Sequence, residues 1–135
     1  LYNSNKDLQD GYVLYSSIER MKGNSEKAVE WVDKGIKEIP ENAELYRLKA
    51  MALAADGEYE EAKKAVDKGL EIQQYSYIYM VSLVIENELG NDERVEKIKD
   101  AMEEAELEIS DRTKKYLKGK ITAKEMFTEG TGDVE

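Results

Sequence analysis

The sequence predicts an all-α chain built of helical hairpins, and three observations carry that expectation. Helix breakers are scarce: one Pro and nine Gly stand among 135 residues that are rich in Glu, Lys, Ala and Leu, which favour helix. The tetrapeptide Val32-Asp33-Lys34-Gly35 returns 34 positions later as Val66-Asp67-Lys68-Gly69, each copy followed by an aliphatic residue, Ile36 or Leu70. A fixed period of this size is the signature of a repeat architecture. Finally, Ala62, Val66, Gly69 and Leu70 fall at i, i+4, i+7 and i+8, one face of a helix, and Ala28, Val32, Gly35 and Ile36 repeat that face.

The same offset relates Gly23 to Gly57 and Ala28 to Ala62, and Gly90 follows Gly57 after 33 positions, so turn glycines divide the chain into three units of two helices. The first unit, 7–40, places Tyr12, Tyr15 and Ser16 on one helix and Ala28 to Ile36 on the next, and Pro40 closes it. In the second, 41–74, Asn42 stands as an N-cap ahead of Glu44 in the acid-favouring first turn. Its helices are expected at about 46–55 and 59–72, with Gly57 between them. The third unit, 75–108, begins with Tyr75 to Ile85, apolar nearly all round. Such a helix needs cover on more than one side. The candidates are the segment with Tyr116, Leu117, Ile121, Met126 and Phe127 folded back, a second copy of the chain, or a partner's helix; the first is preferred. Beyond residue 108 the composition inverts. Arg112, Lys114, Lys115, Lys118, Lys120 and Lys124 stand in a stretch without acids, directly after a strongly acidic one. Residues 109–128 are expected to form capping helices, one near Arg112 to Leu117 whose cations complement the acidic third unit, and one opened by the capping box Thr122/Glu125 ahead of Met126 and Phe127. Residues 129–135 read as a flexible acidic tail.

The period, the small residues at helix crossings and the glycine turns resemble the tetratricopeptide repeat family. The middle unit fits it best through Tyr46, Ala50, Leu53, Gly57, Tyr59, Ala62 and Val66; Tyr12, Gly23, Ala28, Val32 and Pro40 follow in the first unit, and Tyr79, Leu83, Gly90, Val95, Ile98 and Met102 in the third. Departures are Glu19 in an aromatic slot, Lys49 for a large apolar residue, Gly35 and Gly69 for Ala, and Gln74 for Pro. The resemblance implies a right-handed hairpin solenoid with a C-terminal capping helix, whose first helices line a concave wall.

Chemistry is restricted by what is missing. With no His and no Cys, a Ser-His-Asp triad, a thiolate nucleophile and the common zinc, haem and iron–sulfur ligand sets are excluded. No catalytic residue, metal ligand or cofactor site is assigned. Gly119-Lys120-Ile121-Thr122 lacks the Ser or Thr after Lys that a phosphate loop requires. The pairs Glu60-Glu61 and Glu103-Glu104 read as solvated helix faces. A net charge of -10 repels nucleic acid everywhere except near 112–124, and no apolar run reaches the roughly 20 residues of a membrane span. The opening Leu1 is taken to mark a boundary within a longer chain, so the compartment stays open between cytoplasmic and the soluble part of a membrane-anchored protein.

By the resemblance, the wall is lined by Val13, Ser17 and Arg20; Arg47, Met51 and Ala54; and Met80, Val84 and Asn87. The expected function is non-enzymatic binding of a partner's peptide or helix, with Arg forking onto a carboxylate and Met adapting to apolar side chains. The alternative is a structural or dimerising domain, with the third repeat as the dimer face. Trp31 is assigned to packing. Exchanging Arg47 for Glu together with Met80 for Asp is expected to leave folding intact.

Overall fold

The computed structural model describes residues 2–128, which form eight α-helices and no strand; the tail 129–135 lies outside them. The helices are α1 (Tyr2–Met21), α2 (Ser25–Glu38), α3 (Ala43–Ala55), α4 (Tyr59–Ile72), α5 (Ser76–Glu88), α6 (Asp92–Glu104), α7 (Asp111–Leu117) and α8 (Ala123–Thr128). The expected all-α architecture is present.

The turns repeat one hydrogen-bonded closure. At the end of α3, Gly57 N–H donates to Ala54 O at 3.0 Å and Glu58 N–H to Leu53 O at 2.9 Å, with Gly57 at φ +77°. This is a Schellman closure, which places one residue in the left-handed region that glycine enters without Cβ strain. The same pair of bonds closes α1 at Gly23, α5 at Gly90 and α7 at Gly119. It also closes α6 at Glu106, where a non-glycine residue holds φ 58°. Asn42 caps α3 as the sequence predicts, its Oδ1 accepting from Leu45 N–H at 3.2 Å. Gln74, in place of proline, donates through Nε2 to Leu70 O and satisfies a terminal carbonyl of α4.

Neighbours in sequence pack in space from α1 through α6, and α3 also touches both α1 and α5. The first helices of the pairs therefore make one layer. Both glycines that replace alanine sit at close crossings. A Cβ on Gly69 would stand 2.6 Å from Ile78 Cδ1 and 3.2 Å from Ala43 O, and one on Gly35 would stand 3.0 Å from Tyr12 Cγ. Lys49, in place of an apolar residue, reaches Asp33 of α2 at 2.8 Å.

The core runs through the middle of the stack. Val32, Leu45, Ala50, Met51, Ala62, Val66, Ile78, Val84 and Ile85 are fully enclosed in one apolar cluster that also holds Tyr116, Ala123, Met126 and Phe127. Of the three candidate covers for α5, the chain's own C-terminal segment is the one in place. A second cluster, Met80, Leu83, Val95, Ile98 and Met102, joins α5 to α6.

Candidate functional site

The face that the sequence assigns to a binding wall is covered by the chain's own C-terminal segment. After α7 the chain reverses at Gly119, and α8 packs on α3, with further contacts to α1 and α7. The predicted capping box forms reciprocally: Thr122 N–H donates to Glu125 Oε1 at 3.0 Å and Glu125 N–H to Thr122 Oγ1 at 3.1 Å. The box starts a six-residue helix whose Ala123, Met126 and Phe127 share one face, all three buried.

The predicted wall residues meet this segment unequally. From the first pair, Val13 is half-buried against the central cluster and Ser17 is half-buried, while Arg20 is buried and donates through Nη1 to Phe127 O at 2.6 Å. From the second pair, Met51 and Ala54 are enclosed in the cluster that contains Phe127. From the third, Val84 is enclosed, and Met80 Sδ lies 3.4 Å from both Ser110 N and Thr113 Oγ1 at the start of α7. Asn87 is exposed, yet its Nδ2 donates to Tyr116 Oη at 2.9 Å. Tyr116 Oη in turn donates to Glu88 Oε2, which ties α7 to the end of α5. Burial, with the Glu88 carboxylate beside it, pushes the Tyr116 hydroxyl far up from its ordinary range.

Arg47 does not face an open groove. Its Nε and Nη2 fork onto Glu44 Oε1 and Oε2 at 2.9 and 2.8 Å, its Nη1 lies 3.3 Å from Met51 Sδ, and its guanidinium sits 5.6 Å from the Tyr77 ring centroid. Tyr75 Oη also donates to Glu44 Oε1, at 2.5 Å. Burial alone would raise the Glu44 carboxyl, but the Arg47 fork and the Tyr75 hydroxyl outweigh it and hold it below its ordinary value. The Glu44-x-x-Arg47 spacing that makes this pair is visible in the sequence. Because Arg47 is 4% and Met80 7% exposed, the charged exchange at both positions would not leave folding intact, contrary to the expectation from sequence: it would strip Glu44 of its arginine partner and place a carboxylate in the core.

One further feature was not singled out from sequence. Glu86 is fully enclosed on α5 and accepts from Lys63 Nζ at 2.6 Å, Asn91 Nδ2 at 2.7 Å and Arg94 Nε at 3.3 Å. Burial raises its carboxyl, but these three donors prevail and hold it low. The signal in the sequence was a carboxylate directly continuing the apolar run that ends at Ile85. The lysines 114, 115, 118, 120 and 124 are exposed and form no ion pair among the described residues. Trp31 is half-buried on α2. Its ring stacks on Tyr15 at 4.8 Å between centroids, with Lys34 Nζ 4.8 Å from its own.

Among the described residues no helix is long and apolar enough to cross a membrane. Comparison with protein-family models, with curated proteins and with solved structures finds no match.

Proposed function

We propose that the chain is a non-enzymatic protein-interaction module, a tetratricopeptide-like stack whose concave wall receives a short segment of a partner protein. The observation that supports this most is that the wall already carries a helix. Met126 and Phe127 of α8 are buried on it, and Arg20 takes the Phe127 carbonyl at 2.6 Å. A surface that accepts a helix in cis has the apolar floor and the carbonyl-directed donor that a helix in trans would use. The polar groupings support binding over catalysis. The Glu44–Arg47–Tyr75 and Glu86–Lys63–Arg94 sets satisfy their charges internally and hold both carboxyls ionised, whereas a general acid needs a raised carboxyl.

The test is site-specific photo-cross-linking in native lysate. A photoreactive residue at Ser17, on the wall, should give a discrete protein adduct, and the same residue at Lys64, on an exposed outer face, should not. Equal adducts from both positions, or none from Ser17, would remove the reading. A structural or dimerising domain is the second reading. It is favoured by the depth at which Met51 and Val84 are enclosed beneath the C-terminal segment, and it expects no Ser17 adduct.

A further inference from the structure

We propose that α8 is the resident occupant of a helix-docking groove, and that the partner taken there is a short amphipathic helix with the apolar spacing of Ala123, Met126 and Phe127. The inference rests on the interaction-module reading and gives the partner a chemistry.

Three observations on α8 carry it. The first is which atoms are read. Ala123, Met126 and Phe127, at i, i+3 and i+4, are buried, while Lys124 is exposed and Glu125 and Thr128 are only half-buried. The groove therefore reads one small and two consecutive large apolar side chains. The second is how the helix end is held. Its last turn leaves carbonyls without intrahelical partners, and two arginines from separate elements take them: Arg112 Nη2 donates to Glu125 O at 2.8 Å and Arg20 Nη1 to Phe127 O at 2.6 Å. Main-chain carbonyls are offered by any helix ending at this place, so the clamp accepts a substitute of different sequence. The third is the shortness of the occupant and the exposure of its connection. Six residues cannot sustain a helix in water, and residues 118–120 and 122 of the connection are exposed. A cavity of about 20 Å³ remains between Met126 and Phe127 on one side and Met51, Tyr77, Met80 and Val81 on the other. The helices beneath pack on one another without α8, from α1 through α6. Local opening is drawn from segments of this kind.

A labelled peptide of residues 119–128 is the probe, titrated by fluorescence anisotropy against the whole chain and against its Met126→Asp/Phe127→Asp variant, whose own α8 cannot reseat. The variant should keep the helical circular-dichroism signal of α1–α6 and bind the peptide at least tenfold more tightly than the wild-type chain does. A peptide with Ala at both 126 and 127 should not bind. In the wild-type chain, the Met126 amide, bonded to Thr122 O at 3.0 Å, should exchange its hydrogen much faster than the amides of Leu48 and Val84. A folded variant that ignores the peptide, equal binding of the Ala peptide, collapse of the variant's helicity, or joint exchange of α8 with α3 would each overturn the proposal. Failure here with a Ser17 adduct in lysate would leave a binding wall with a different class of ligand. Peptide binding without an adduct would leave the groove and remove the proposed partner function.

Discussion

In the second helical pair, α3 is buried along most of its circumference, from Ala43 through Leu45, Arg47, Leu48 and Ala50 to Ala55, because α2, α4, α5 and α8 all pack on it. In the first pair, α1 leaves Leu8, Leu14, Tyr15 and Met21 exposed. The ion pairs divide in the same way. On α1, Lys6 and Asp10 meet at 3.7 Å with both side chains 59% exposed, whereas Glu86, beside the second pair, is fully enclosed by Lys63, Asn91 and Arg94. One repeat pattern thus yields two environments. What decides between them is the number of elements stacked on each helix, a tertiary fact that the repeat itself does not encode.

The sharpest way to separate the two regions is to truncate a leucine in each. Leu45→Ala removes a side chain with no exposed surface, packed in the central cluster, and should cost about 2–5 kcal/mol. Leu14, 56% exposed on α1, should change stability by no more than about 0.5 kcal/mol on the same exchange. Urea titration of the two variants reads the difference, and comparable losses would mean that α1 is covered in solution.

The enclosed ion cluster gives a pH-dependent contrast. The Glu86 carboxyl is held below its ordinary value of 4.5, so its contribution is present above that value and is lost as pH falls through the lower, folded-state one. Glu86→Gln should destabilise by about 1–3 kcal/mol at neutral pH, because Lys63 and Arg94 lose the enclosed carboxylate and keep only Asp67 as a counter-charge. The Gln variant should also lose less of its melting temperature than the wild type when titrated below pH 4.5. Lys6→Ala, at an exposed pair, should shift stability by less than about 1 kcal/mol. Parallel melting curves for wild type and Glu86→Gln across that range would place the acid sensitivity elsewhere.

How far the sequence carried these features follows from the range of the interaction behind each. The glycine turns, the Asn42 cap and the Thr122/Glu125 box rest on residues within a few positions of one another, and all were legible. So was the need to cover α5, because a helix apolar all round announces itself. The seating of α8 was only partly legible: Met126 and Phe127 marked an apolar edge, but the bond from Arg20 to Phe127 O spans 107 positions. The wall residues were assigned by resemblance to a repeat family whose first helices line an open wall. Nothing within a single repeat signals that Met51 and Met80 lie under a segment that follows all three repeats.

Glycine provides the finest contrast, because the two regions should answer the same exchange with opposite signs. Gly69→Ala forces a Cβ to 2.6 Å from Ile78 Cδ1, which can rotate away, but also to 3.2 Å from Ala43 O, a backbone atom that cannot. The crossing of α4 with α3 must then open, at about 1–3 kcal/mol for an overpacked contact. Gly11 lies within α1 and has nothing within 4 Å of its hypothetical Cβ. There the added methyl meets no neighbour and restricts the unfolded chain, so Gly11→Ala should stabilise by about 0.5–1 kcal/mol. Thermal melts of both variants at one pH decide the matter. A loss at Gly11 would require another element close against that face of α1, and it would identify the exposed row of Leu8 and Tyr15 as an interface formed in solution.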